Sequence, residues 1–322
     1  MPVLMNRAVN RGGQPGTLGS GNSMDRYHVH GSDLSELLQP AKIASALLPH
    51  CGNANCKSGW LKLWRSRQSP ILEGKWACSL ACMQEIARVS IQREAGDANA
   101  HGVVHQHRVP LGLILLSRGI ITHEQLRKAL EAQKKTGTGR LGEWLIRQEA
   151  VDEQQVTSAL SAQWNCPVLL GAPYDPIVMA CAFPRLLIDS FGGVPLRLAG
   201  SSLLYVAFAD RIDRCLVLAV ERMLGLKVEA GILRQSEFQR VREEVLHAPF
   251  PKTRLLEAVN IRGLVHAFAA FLEERKAVRS QIVRLHDYFW LRIWRSQATE
   301  TGKVLPGAEE VEDMVCSLPR NE

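Results

Sequence analysis

No apolar run in this chain approaches the roughly 18 residues that a membrane-spanning helix needs, so no span is expected. The first 35 residues also lack the apolar core of a signal peptide; rich in Gly, Ser and Asn, they read as a disordered tail. A cytoplasmic location is therefore expected, and the eight cysteines are not the framework of a secreted disulfide scaffold. Strings that announce common catalytic machinery are missing as well. There is no H-E-x-x-H, no G-x-S-x-G and no P-loop; the nearest stretch, Thr301-Gly302-Lys303-Val304, lacks the upstream glycine and the hydroxyl residue. A non-enzyme is expected. What is present is ordinary for a folded soluble chain: 46% hydrophobic and 22% charged residues over a length of 322, which suggests two or three structural units. The net charge of +7 permits an anionic partner without requiring one.

Four of the cysteines crowd together. Cys51, Cys56, Cys78 and Cys82 spell C-x4-C-x21-C-x3-C, whereas Cys166, Cys181, Cys215 and Cys316 are scattered singles. Two close pairs separated by about twenty residues can surround one tetrahedral zinc ion, each pair presenting two thiolates. The first pair lies in HCGNANCKSGW, whose small, turn-forming residues suit a knuckle; His50 is a competing donor, but Cys51 is the better one. WLKLWRSRQ and ILEGKWAC read as strands with a turn at Gln68-Ser69-Pro70, and CSLACMQEIARVSIQ as a helix carrying both sulfurs of the second pair on one face. Knuckle, hairpin and helix-borne pair resemble the treble-clef zinc fingers, and W-x-C-S-x-x-C resembles the second half of the MYND type, although the x4 spacing of the first pair is wider than usual there. Four thiolates leave no open coordination position, so the zinc would be structural; the alternative is four buried cysteines that pack. Lys57, Lys62, Arg65, Arg67 and Lys75 interleave with Trp60, Trp64 and Trp76. Such a set can bind nucleic acid, but cations offsetting the thiolates around a small tryptophan core is the favoured reading.

The second signal is a duplication. PLGLILLSRGIITHEQLRKALEAQ (110–133) and RLGEWLIRQEAVDEQQVTSALSAQ (140–163) align at an offset of thirty, with Leu111/Leu141, Gly112/Gly142, Leu115/Leu145, Ala129/Ala159 and Gln133/Gln163 among the identities. Each copy predicts a short helix, a tight turn at Gly119 or its counterpart, and a longer helix capped by Thr122 or Asp152 with Gln125 or Gln155 at the capping-box position.

The repeated LG-x-x-L…Q element with its KKTGTG spacer resembles the N-terminal domain of type II secretion and type IV pilus assembly ATPases, in the MshEN form that binds cyclic di-GMP. The likeness continues through residues 166–247 as a small α/β unit containing Pro184, Val194-Pro195-Leu196, Ala209, Asp210 and Asp213. It implies a ligand site formed by Arg108, Leu111, Gly112, Leu115 and Gln133 with Arg140, Leu141, Gly142, Leu145 and Gln163: arginines for phosphate or a guanine face, leucines for an apolar floor, glutamines for base edges, and glycines for close backbone approach. Two positions depart from the pattern. Pro110 stands where the family has a basic residue, with Arg108 two residues away as a substitute, and Glu149 stands where glycine is expected. The motor domain that follows in those ATPases has no counterpart string here.

The fold class expected is α+β and multidomain: a treble-clef-like finger (36–95), a linker (96–108) whose His101, His105 and His107 read as solvated, tandem helical hairpins (109–165), an α/β subdomain (166–247), an accessory helix plus hairpin (254–297) and a tail (298–322). The hairpin is expected to turn near His286-Asp287, with a helix as the alternative. The function expected is nucleotide sensing exerted through a protein partner of secretion, pilus or signalling machinery. The rivals are a ligand-free adaptor and a nucleic-acid binder.

Overall fold

Glu73 and Gly74, both at positive φ (49° and 73°), turn the chain between β1 (Ile71–Leu72) and β2 (Lys75–Trp76), the left-handed pair a type I′ hairpin requires. The structure, a computed structural model, describes residues 50–57, 70–97, 108–171, 174–295 and 305–317. The expected tail 1–35, linker residues 98–107 and the strand WLKLWRSRQ, with Trp60, Lys62, Trp64, Arg65 and Arg67, lie outside them, as do Gln68 and Ser69 of the expected turn. ILEGKWAC, expected as one strand, is itself a hairpin. α1 (Leu80–Gly96) follows, started by Ser79, whose hydroxyl accepts from the Cys82 amide at 3.2 Å.

The duplicated segment folds as two superposable hairpins, α2 (Leu111–Ser117) with α3 (His123–Thr136) and α4 (Leu141–Arg147) with α5 (Glu153–Trp164). Both long helices carry the full capping box: Thr122 with Gln125, and Asp152 with Gln155. Buried Leu115, Ile121 and Ala129 meet Leu145, Val151, Val156 and Ala159 in one small core, each copy completing the other's. The turns match bond for bond, with Gly119 and Glu149 donating to Leu116 and Ile146 and both standing at positive φ, 67° and 55°. A β-carbon in the left-handed region costs about 1 kcal/mol, so Glu149→Gly is expected to stabilise the protein by about that amount in a denaturant titration.

α6 (Pro176–Ala180), α7 (Arg185–Phe191), α8 (Arg214–Leu224) and α9 (Gln235–His247) pack with a three-stranded sheet of β3 (Val194–Ala199), β4 (Leu203–Phe208) and β5 (Lys227–Ile232). β3 and β4 run antiparallel and β4 and β5 parallel, in that spatial order. Pro167–Leu169 pair with Ile232, so the chain leaving the repeat runs along β5 and fixes the repeat to the sheet.

The remainder corrects three expectations. The accessory element expected from residue 254 does not begin as helix: Lys252–Glu257 form β6, and the helix α10 spans Ile261–Arg275. β7 (Arg279–Leu285) and β8 (Tyr288–Trp294) form a hairpin turning at His286-Asp287. The supposed tail 298–322 contains β9 (Val311–Ser317), an inner strand of a four-stranded sheet in the order β6-β9-β8-β7. VEDMVCS resembles a solvated end because it carries two acids, yet both are buried against arginines: Asp313 against Arg292, and Glu312 against Arg254, Arg275 and Arg295. Finally, the finger region and the accessory element are not separate units. Met83, Ile86 and Ile91 of α1 share one core with Leu264, Phe268 and Leu272 of α10 and with Ile282, Leu291, Ile293 and Met314 of the sheet. The opposite sheet face, with Val283, Leu285, Trp290 and Val315, packs against the α/β subdomain. Covered on both faces, β8 and β9 are buried almost continuously rather than alternately.

Candidate functional site

A cleft of about 650 Å³ opens between the second repeat and the α/β subdomain. Its repeat wall comes from α4 and α5; the facing wall comes from Ala209–Arg211 after β4 and from the start of α9. Glu153, the first residue of α5, accepts from the amide and the hydroxyl of Ser236 at 2.6 and 2.7 Å. One helix thereby supplies the N-terminal acceptor of another, in place of a side-chain cap on α9's own Arg234.

Arg140 spans the cleft. Its guanidinium meets Glu143 at 2.9 Å on its own helix and Asp210 at 2.7 Å opposite, and donates to the Gln235 side-chain Oε1 at 3.4 Å. Arg147 and Arg211 add further cations to the lining, Leu141, Ile146, Val156 and Leu160 provide apolar surface, and Gln163 and Trp164 also line it. A surface of this kind offers cations to phosphate, an apolar bed to a base, and carboxylates to the donor edge of a guanine.

Of the ten residues the resemblance singles out, Leu111, Arg140, Leu141, Gly142 and Gln163 line the cleft. Arg108 stands beside it, its guanidinium 3.7 Å above the Trp164 ring and donating to the Gln163 carbonyl at 3.1 Å. Leu115 and Leu145 are fully buried within the repeat's own core. Gly112 and Gly142 serve helix packing, since a β-carbon would stand 2.7 Å from Leu126 and 2.9 Å from Val156. The two glutamines are exchanged between copies. Gln133 donates to the Gly139 carbonyl at 2.9 Å and Gln163 to the Val109 carbonyl at 2.8 Å, so each copy's last residue holds the backbone that enters the other copy. The cleft residues Asp210, Gln235, Ser236 and Gln239 were not anticipated as ligand contacts; the Ala-Asp-x-x-Asp stretch was the one signal for them.

The four cysteines meet. All four sulfurs lie within 4.8 Å of one another, Cys56 being 3.4 Å from Cys78 and Cys78 3.7 Å from Cys82. None of them forms a disulfide, and the Asn53 side-chain amide donates to the Cys82 sulfur at 3.4 Å. Burial, with Cys82 and Cys56 alongside, pushes the Cys51 thiol up to about 12. The donor set fits a thiophilic cation with tetrahedral preference. Trp76 is buried beside the cluster, which makes it core rather than a stacking platform. Asp213, Cys215 and His286 form a second close group, where His286 and Asp213 are joined at 2.8 Å across the junction of α8 and the β7–β8 turn.

No family model matches the chain. In sequence it is similar to the type IV pilus assembly ATPase PilB of Myxococcus xanthus, 32% identical over 124 residues that make up 38% of this chain and 21% of that protein. It is also similar to PilB of Thermus thermophilus, 27% identical over 130 residues, 40% of this chain and 14% of that protein. Bacteriophage adsorption protein B of Escherichia coli K12 is 31% identical over 128 residues, 38% of this chain and 16% of its own length. The chain thus spans about a fifth or less of the curated relatives it matches. Among solved structures, MshE with cyclic di-GMP aligns with 43% of this chain and 99% of its own at 26% identity and a TM-score of 0.36. The N-terminal domain of XpsE aligns with 42% of this chain and 92% of its own at 19% identity and a TM-score of 0.31. Part of this chain is therefore similar in sequence to part of the type IV pilus assembly ATPase PilB, and no helix among the described residues is long and apolar enough to cross a membrane.

Proposed function

We propose that the chain is a non-enzymatic cyclic di-GMP sensor that seats its ligand in the cleft between the second repeat and the α/β subdomain. It would report the bound state by contact with a protein of secretion, pilus or signalling machinery. The observation that carries this reading is the cleft itself: about 650 Å³, with Arg140 reaching across it to Asp210 and Leu141, Ile146, Val156 and Leu160 in its lining. A cyclic dinucleotide needs a cation for each phosphate and an apolar bed for each base, and the lining supplies both. Binding replaces the Asp210–Arg140 pair with a phosphate–Arg140 pair, which frees the Asp210 carboxylate to accept from a guanine edge. That exchange also changes the contact between repeat and subdomain, which is the state a partner would read.

One observation favours the ligand-free adaptor as a second reading. Arg140, Gln133 and Gln163 are all engaged inside the protein, so the motif residues have structural work without a ligand. Calorimetric titration of the full chain with cyclic di-GMP separates the two readings. Saturable binding of one ligand per chain in the micromolar range is expected. Absence of heat and of competition at high micromolar ligand, with the protein folded, replaces the sensor with the adaptor.

Cys51, Cys56, Cys78 and Cys82 would hold one zinc ion. With four thiolate donors it would be structural, organising the backbone and leaving no coordination position for chemistry.

A further inference from the structure

We infer that the four-cysteine centre is the clasp of a composite domain built from the described residues of 50–97 and 252–317, so that metal bound near the beginning of the described chain holds the sheet at its end. The inference rests on the zinc reading above, and the experiment below separates the two.

Among the described residues the regular structure around the four cysteines is small. β1 and β2 contribute two residues each, far below what an isolated hairpin needs. Among the described residues the knuckle is attached to β2 by the Gly52 amide donating to the Trp76 carbonyl at 2.7 Å, and the Cys56 sulfur lies 3.4 Å from that of Cys78. Cys51 and Cys56 come from the knuckle, while Cys78 and Cys82 come from the entry to α1. A cation bound by all four joins the knuckle to the helix at the point where the helix starts.

What the clasp holds is on the other segment. The Ile71 amide donates to the Ala277 carbonyl at 3.0 Å, the Glu73 amide to Ser280 at 2.8 Å, and the Ser280 hydroxyl returns to Ile71 at 2.6 Å. The hairpin is thus bonded to the start of β7, one of the two outer strands of the four-stranded sheet. α1 lies beside α10 and covers the sheet face that carries Ile282, Leu291, Ile293 and Met314. At its far end, fully buried Glu94 accepts from Arg93, from Arg222 of α8 and, at 3.2 Å, from the Arg284 amide of β7. Releasing α1 would uncover apolar sheet surface and strand a buried carboxylate. Because a preformed site rarely exists in an unfolded chain, metal binding is coupled to the folding of whatever it holds. Here that includes α10 and β7, roughly two hundred residues further along the sequence.

The test uses the full chain purified without chelator. Metal analysis is expected to find one zinc per chain. Amide exchange is then followed before and after removal of the metal by a high-affinity chelator. Exchange is expected to accelerate on the order of tenfold or more in 71–96 and equally in 261–275 and 279–285, with 111–164 unchanged. Returning zinc is expected to restore protection in both segments. If zinc is present but the acceleration stays within 50–97, the clasp is overturned while the zinc site stands. If no metal is found and 261–285 are already protected, zinc and clasp both fall. Cys82→Ser repeats the comparison without chelator; should that variant fail to fold, the wild-type chelation carries the result.

Discussion

Asp313→Ala is expected to cost about 3–5 kcal/mol of folding stability, the scale for removing one partner of a buried ion pair. Arg292 and Asp313 are both fully buried and face each other across β8 and β9. Two parallel bonds of 2.8 Å join guanidinium to carboxylate, and the Trp290 indole donates to the same carboxylate at 2.8 Å. The remaining Arg292 nitrogen donates to the carbonyls of Cys181 and Ala182, both at 2.9 Å, at the end of α6. The alanine would leave a guanidinium in the interior without its counter-charge and an indole N–H without its acceptor. Because Arg292 reaches from the sheet into the α/β subdomain, the loss is expected in one cooperative transition that involves both. Paired replacement with Arg292→Met and Asp313→Leu is expected to recover much of the stability, since an apolar pair of similar volume avoids both desolvation costs. A midpoint shift equivalent to less than about 1 kcal/mol for Asp313→Ala would contradict the assigned pairing.

Arg140→Ala is expected to weaken cyclic di-GMP binding ten- to a hundredfold, the consequence of losing one charge-assisted contact worth roughly 1.5–3 kcal/mol. The same change removes the Asp210 and Glu143 pairs, but these are half-exposed and contribute little to folding. The variant should therefore stay folded, and a melting curve checks that. Pro110→Arg is expected to act in the opposite direction by restoring the cation at the first copy's equivalent position. Pro110 is exposed, caps α2 and does not line the cleft, so a gain there requires the ligand to reach across both copies. Tighter binding by Pro110→Arg would show such a bridging ligand; unchanged binding would confine it to the second repeat. Binding by the variant alone would identify a sensor that lost its ligand through that substitution.

How much of this could be read in advance differs from region to region. The repeat was legible because its determinants are local: Thr122, Asp152, Gln125 and Gln155 act within one turn, and Gly119 specifies a backbone conformation by itself. The left-handed Glu149 was legible for the same reason, as the counterpart of that glycine. The cysteine cluster was legible because closely spaced pairs have few other uses. By contrast, β9 was hidden by Glu312 and Asp313, which are tolerated in an interior strand because arginines from β6, α10, β8 and the residue after β8 arrive from elsewhere in the chain.

The roles of the glutamines depended on the same kind of distant arrival. Gln133 and Gln163 are equivalent in the alignment, but their exchange between copies appears once each helix is set beside the other copy's entrance. Spacing and periodicity determined the duplication, the caps and the clustering of Cys51, Cys56, Cys78 and Cys82, since those depend on contacts within a few turns of chain. Tertiary structure alone decided that the described residues of 50–97 and 252–317 share one core, and that the cleft has a second wall around Asp210. Those outcomes follow from which apolar faces have no other cover, and a sheet buried on both sides leaves no alternating pattern from which its partners can be read.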